Sequence, residues 1–131
     1  MRLLLDTHIA LWAIADHPNL SGKARRFIED PDSQIVVSVA TIWEISIKHS
    51  FNRGRPGDMQ ISGQQALGYF RDAGFEVLDI SPAHVLAVET LPALHAGPFD
   101  RLLVAQAMTV PLRLLTRDQT VAAYSDSIIL V

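Results

Sequence analysis

The 131-residue chain contains no cysteine. That excludes a disulfide framework and any thiolate-held zinc or iron–sulfur site, and it suits a reducing cytosol. Charged residues are scarce at 19%, and aromatics reach only 7%. No apolar run approaches the roughly 18 residues that span a bilayer, and Asp6 interrupts the N-terminal Leu3-Leu4-Leu5 stretch where a signal peptide would stay apolar. The expectation is a cytoplasmic protein without a membrane segment. An excess of positive charge is also missing, since 11 Lys and Arg face 14 Asp and Glu for a net −3, the wrong sign for a general phosphate binder. Two details weaken that objection. Nine of the eleven cations are Arg, whose planar fork suits phosphate. If four carboxylates were committed to a cation, the rest of the chain would be slightly positive.

Hydrophobic residues make up 49% of the chain, which excludes a disordered segment unable to bury apolar surface. The length suits one domain over 1–131, burying roughly two-thirds of the surface that the unfolded chain exposes. Short apolar runs at 2–6, 34–38, 75–80, 112–116 and 127–130 read as strands buried on both faces. Helical patterns fall at 8–15, 21–29, 41–50, 62–73, 82–93, 99–109 and 118–124. Ser21, Ser62 and Ser81 suit N-caps, Pro82 suits a first helical position, Gly74 suits a C-cap, and Pro111 stops the helix at 99–109. Strands alternating with helices predict an α/β fold with a parallel sheet covered on both sides. The loop at 52–58, Asn-Arg-Gly-Arg-Pro-Gly-Asp, concentrates Gly and charge.

Four acids fall at the ends of these elements. Asp6 closes the first strand, Glu44 lies about a turn after the second, Asp100 opens the helix at 99, and Asp118 follows the fourth strand. Ligands of open parallel sheets bind at the C-terminal strand ends, where strand order reverses. Four oxygen ligands without Cys favour a hard cation, Mg²⁺ or Mn²⁺, which can activate water against a phosphodiester. Each acid also has an ordinary explanation. Asp6 and Asp118 precede helices, where Asp is a common N-cap, and Asp100 complements a helix dipole. Glu44 and Lys48 have the spacing of an exposed i, i+4 pair, although Ile42, Trp43, Ile45 and Ile47 are unusual company for a solvated carboxylate.

The contexts of these acids are more specific than the acids alone. Leu4-Leu5-Asp6-Thr7-His8, Trp43-Glu44-Ile45-Ser46-Ile47-Lys48, Pro98-Phe99-Asp100-Arg101-Leu102-Leu103-Val104-Ala105-Gln106-Ala107 and Leu115-Thr116-Arg117-Asp118 occur in that order. Together they resemble the PIN-domain nucleases, and specifically the VapC-like toxins of bacterial toxin–antitoxin pairs, from residue 3 to about 130. The resemblance implies a three-layer α/β/α domain with a five-stranded parallel sheet of order 3-2-1-4-5. It implies a Mg²⁺- or Mn²⁺-dependent endoribonuclease that cuts RNA and is held inactive by a VapB-like antitoxin. Asp6, Glu44, Asp100 and Asp118 match the family's metal-binding acidic quartet, and Thr116 matches a hydroxyl residue that supports it. The chain departs from the pattern at Gly97, where relatives often carry Asp, and in its more basic loop at 51–59.

Other residues stand near these motifs. His8 and His95 flank the acids, and both suit a structural or partner-contact role better than Mg²⁺ ligation. Arg53 and Arg55 are candidates for an RNA or antitoxin patch, against a plain solvated loop. Arg101 suits phosphate steering or, more commonly, an ion pair with a neighbouring acid. Trp12 and Trp43 sit among aliphatic residues and suit the core or an interface rather than a platform for base stacking. The apolar helices at 8–15 and 41–50 leave surface for an antitoxin groove and for a homodimer. Two related folds fail on named residues: a receiver domain needs an adjacent acidic pair and a late Lys, and a haloacid-dehalogenase-type phosphatase needs Asp where His8 stands. The remaining competitor is a degenerate PIN domain that only binds protein or RNA, and the presence of all four acids speaks against it.

Overall fold

The computed structural model describes residues 1–94 and 97–131. Three consecutive leucines set its architecture. Successive side chains of a strand point to opposite faces, so in β1 (Arg2–Leu5) Leu3 and Leu5 share one face and Leu4 takes the other. All three are fully buried, which requires a cover on both sides. Leu3 and Leu5 pack with Ile9, Ile45 and Phe70, whereas Leu4 packs with Val36, Leu103, Val104 and Leu114. Truncating Leu4 to Ala would cost about 2–5 kcal/mol at such a site.

The chain continues through α1 (Thr7–Ala15), α2 (Gly22–Glu29), β2 (Gln34–Ser38), α3 (Val39–Ser50), α4 (Gly63–Asp72), β3 (Glu76–Leu78) and α5 (Pro82–Ala87). A 3₁₀ turn (Val88–Thr90), α6 (Pro98–Thr109), β4 (Arg113–Thr116), α7 (Gln119–Ala122) and β5 (Ile129–Leu130) complete it. The sheet has the order β3-β2-β1-β4-β5, and every pairing is parallel. This is the three-layer α/β/α arrangement, of order 3-2-1-4-5, expected from the resemblance. From β1 the chain builds β2 and β3 on one side, then crosses back to β4 and β5 on the other. Strand order therefore reverses between β1 and β4, and a crevice is expected beyond their C-terminal ends.

Local chemistry explains most of the boundaries. Ser21, Ser62 and Ser81 cap their helices as expected, the last two in reciprocal capping boxes with Gln65 and His84. Ser38 caps α3, so that helix starts at Val39, earlier than its sequence pattern suggests. The C-cap of α4 is Ala73 and not Gly74, which follows it with φ of 80°, in the left-handed region that favours Gly just beyond a cap. At Gly63 a Cβ would lie 1.9 Å from Ser46 Oγ, 3.1 Å from its Cβ and 3.3 Å from the Ile42 carbonyl, so a larger residue would make Ser46 rotate and press α4 away from α3.

The structure corrects several boundaries. The helix expected over 82–93 ends at Ala87 and tightens into the 3₁₀ turn, and Leu91, which precedes Pro92, is extended. Proline disfavours helical backbone in the residue before it. The strands at 75–80 and 127–130 shorten to Glu76–Leu78 and Ile129–Leu130, and the helix at 118–124 shortens to Gln119–Ala122. Among the described residues no helix is long and apolar enough to cross a membrane.

One buried polar network fixes α6, the helix that carries Asp100. Ser38 Oγ donates to Gln106 Oε1 at 2.5 Å, and Gln106 Nε2 donates to the Asp79 carbonyl at 3.3 Å. His84 Nδ1 lies 3.2 Å from the same Nε2. Gln106 is fully buried, and losing a partner there would leave a buried amide unsatisfied, at about 1–3 kcal/mol. The network ties α6 to the end of β2 and so sets where its first turn lies.

Candidate active site

Asp6 directly follows β1, where β4 pairs alongside, and its backbone N–H donates to the Leu115 carbonyl at 3.1 Å. Its side chain does two things at once. Oδ1 caps α1 by accepting from Ile9 N–H at 2.9 Å, and Oδ2 accepts from the Thr116 hydroxyl at 2.5 Å. Thr116 Oγ1 in turn accepts from the Asp118 backbone N–H at 3.0 Å. One fully buried hydroxyl thus holds the acid beyond β1 and the turn beyond β4 in a fixed relation. Asp118 Oδ1 caps α7, accepting from Thr120 N–H at 2.8 Å and from the Thr120 hydroxyl at 2.5 Å. The capping explanation of Asp6 and Asp118 is therefore correct, and it places both carboxylates at the strand ends that a site would use.

Glu44 arrives from α3. Its Oε1 accepts from Thr7 Oγ1 at 2.7 Å and its Oε2 pairs with Lys48 Nζ at 2.7 Å, so the i, i+4 pair is also formed. Asp100 comes from the first turn of α6 and, among the described residues, has no side-chain hydrogen bond. Trp43 and Phe99, the neighbours of these two acids, meet edge to face at 4.8 Å and join α3 to α6 beside them. The four carboxylates line a single cleft of about 350 Å³ together with Thr7, His8 and Arg117.

Electrostatics follow from this crowding. Burial pushes the Asp6 carboxyl above its ordinary 3.8, against the lowering effect of the Thr116 and Ile9 hydrogen bonds and of His8, while the Asp118 charge raises it further. Asp100 is raised first by partial burial and then by the charges of Asp6, Glu44 and Asp118, with His8 opposing. Burial first, and neighbouring charge second, make both acids harder to ionise than in solution, an effect that a bound cation would oppose. The donor set is all oxygen and suits a hard divalent ion. Among the described residues no three acid or histidine side chains are already drawn close enough to hold an ion as they stand. The cleft leaves room between them.

Other expectations fare unevenly. His8 lines the cleft and is exposed, whereas His95 lies outside the described residues. Arg101 does not line the cleft and, among the described residues, pairs with no acid. Its guanidinium donates to the carbonyls of Pro92 at 3.1 Å and Val88 at 3.2 Å and to the Tyr124 hydroxyl at 3.0 Å. It ties the irregular stretch after α5 to α6 and α7. Trp43 is not core but half exposed. Arg53 and Arg55 sit in an exposed loop whose backbone is organised by Asp58, which accepts from both of their N–H groups. Thr7 and Arg117 were not singled out by the sequence, although Leu-Asp-Thr and Thr-Arg-Asp contain them. Thr7 orients Glu44, and Arg117 brings a cation to an acidic cleft.

Fold and cleft together define an α/β/α domain with an acidic cleft at the carboxyl edge of a parallel sheet. The chain belongs to the PIN domain family, whose model matches residues 3–126. It is 29% identical over 124 residues to Ribonuclease VapC22 of Mycobacterium tuberculosis, covering 93% of this chain and 91% of that protein. Among solved structures it is similar to VapBC2 from Rickettsia felis bound to a DNA fragment from its promoter, with a TM-score of 0.70 and 20% identity, covering 100% of this chain and 98% of the other. It also resembles the DNA-bound VapBC of Salmonella typhimurium, with a TM-score of 0.67, 16% identity and coverage of 100% and 97%. At these identities the structural neighbours establish the fold.

Proposed function

We propose that this protein is a divalent-cation-dependent endoribonuclease, the toxin of a toxin–antitoxin pair, with residues 1–131 acting as one nuclease domain in the cytoplasm. Asp6, Glu44, Asp100 and Asp118 are its metal-binding acids and Thr116 the hydroxyl that positions them. The observation that carries this reading is buried Asp6 in a cleft shared with three further carboxylates. The relative named a ribonuclease supports RNA as substrate, and the structural neighbours, solved as VapBC complexes, support a VapB-like antitoxin as partner. A module that only bound a partner would have no need for this concentration of negative charge.

A Mg²⁺ or Mn²⁺ ion in the cleft would offset that charge, engage a phosphate oxygen and lower the pKa of the attacking water. The chain's own groups supply the placement. Asp6 is held at two atoms, by Ile9 N–H and by Thr116, so its orientation is set before substrate arrives. Asp100 keeps its oxygens unengaged, so no competing donor must be displaced. Glu44 has one oxygen on Thr7 and the other on Lys48; each keeps a lone pair for an ion, and the Lys48 charge weakens its pull on one. The test is cleavage of total RNA by the purified protein in Mg²⁺ or Mn²⁺, with EDTA as the control. Loss of cleavage in EDTA and recovery on adding Mn²⁺ are expected; full cleavage in excess EDTA contradicts the proposal.

A further inference from the structure

Among the described residues Arg117 is the one guanidinium on the wall of the acidic cleft, and its position is unusual for that setting. The ion pairs among the described residues, Arg2–Glu76, Arg25–Asp16 and Lys48–Glu44, do not include it. Its guanidinium carbon instead stands 5.0 Å from the centre of the Trp12 ring on α1. Stacking on an aromatic face fixes the plane of an Arg while leaving its N–H groups free to donate. Trp12 is itself braced by His17, whose ring stacks at 5.8 Å.

Arg117 also lines a second cavity of about 380 Å³, beyond the cleft. Trp12, Asn19 and Gln119 contribute to that cavity, and among the described residues neither side-chain amide is hydrogen-bonded. With Arg117 and His17 stacked on it, Trp12 gives this cavity an apolar wall, and the two unengaged amides beside it suit the donors and acceptors on the edge of a nucleobase. A fixed cation between that cavity and the carboxylates is suited to a backbone phosphate. We propose that Arg117, stacked on Trp12, binds the RNA phosphate next to the scissile one and directs the attached nucleoside into the cavity formed by Trp12, Asn19 and Gln119. Arg117 is thereby a substrate-positioning residue, and the amides bias which nucleotide lies beside the cut. This inference rests on the ribonuclease reading of the cleft.

The test uses Arg117→Ala, Arg117→Lys and, as a charge-matched control, Arg71→Ala on exposed α4. Binding of a short, randomised, fluorescein-labelled single-stranded RNA is measured by anisotropy in an Asp6→Asn background, and cleavage kinetics in the otherwise native protein. Loss of a bond to a charged group is expected to weaken RNA binding about tenfold or more in Arg117→Ala. The salt slope of log K should shrink by roughly 0.7, the value for one phosphate on a single strand. KM should rise in parallel with kcat within about twofold, Arg117→Lys should recover only part of the binding, and Arg71→Ala should match the parent. Unchanged binding in Arg117→Ala, equal loss in Arg71→Ala, or a fall in kcat at constant KM overturns the assignment. For the nucleoside, the doubly substituted Asn19→Ala, Gln119→Ala protein should cut total RNA at an altered set of nucleotides; an unaltered set refutes that placement. If the native protein neither binds nor cuts RNA with Mn²⁺, the ribonuclease reading itself has failed, an outcome distinct from cleavage that ignores Arg117.

Discussion

Replacing Asp6 by Asn should make the metal-free protein more stable and the metal-loaded protein relatively less so. Asn retains the cap, because its Oδ1 can still accept from Ile9 N–H. It loses the bond in which Thr116 donates to Oδ2, a bond to a charged group worth about 1.5–3 kcal/mol. Against that, a carboxylate only 6% exposed no longer has to be held charged in the interior, where the effective penalty is several kcal/mol per ion. The raised pKa of Asp6 shows which wins, since burial outweighs the hydrogen bonds and the fold prefers the neutral form. A net gain on the order of 1 kcal/mol would raise Tm by roughly 3–5 °C in a domain of this size.

The pH dependence has a definite sign. The folded-state pKa lies above 3.8, so between the two values the native protein holds a proton that the unfolded chain has released. Native stability therefore falls as pH rises through that window. The advantage of Asp6→Asn should vanish near pH 3.8 and be complete above the raised value. Mn²⁺ at 100 times its Kd would stabilise the native protein by about 2.7 kcal/mol, roughly 10 °C, and the variant far less. Thermal scans with EDTA and with Mn²⁺ should thus show the order of the two proteins reverse. A variant less stable in EDTA at pH 7, or one stabilised by Mn²⁺ as much as the native protein, would refute the reasoning.

Three further outcomes follow from single contacts. Thr116→Val removes the donor to Asp6 and the acceptor for Asp118 N–H, so it should lower stability by about 1–3 kcal/mol and RNA cleavage by 10- to 100-fold, with Thr116→Ser restoring most of both. Glu44→Gln should cost only about tenfold in cleavage, less than Asp6→Asn, and change stability by under about 1 kcal/mol, because the Lys48 end of the pair it breaks is half exposed and Gln keeps the acceptor for Thr7. Arg101→Ala should lower Tm by several degrees while leaving kcat and KM nearly unchanged, since its hydrogen bonds go to Pro92, Val88 and Tyr124 and not to the cleft. Denaturation curves and steady-state cleavage assays read all three.

The legible parts of the fold were those governed by short-range rules. Leu3, Leu4 and Leu5 announce a strand buried on both faces, and Ser21, Ser62 and Ser81 announce helix starts, because each effect acts within four residues. The order of the strands came through the resemblance and not through periodicity, which carries no information on neighbours. At the site, Asp6 and Asp118 could not be assigned to capping or to a cleft from sequence, since the structure uses each side chain for both. Arg101 was misjudged because its acceptors lie 9, 13 and 23 residues away, and its neighbour Asp100 suggested a nearer partner. For Trp43 the aliphatic neighbours left core and interface both open, and its half exposure beside Phe99 removes the first. Thr7 and Arg117 acquire meaning only once Glu44 and Trp12 are brought to them in space.

The central claim is that carboxylate charge in this one cleft drives RNA hydrolysis. The most direct measurement compares Asp6→Asn with Asp16→Asn in the same Mn²⁺-dependent RNA cleavage assay. Asp16 is exposed, ends α1 in a left-handed conformation that Asn tolerates, and lies outside the cleft. The account predicts that Asp6→Asn loses turnover on the order of 100-fold or more, about 2.7 kcal/mol in the barrier, while Asp16→Asn cuts at the native rate. Equal loss in the two variants, or native cleavage by Asp6→Asn, would contradict it.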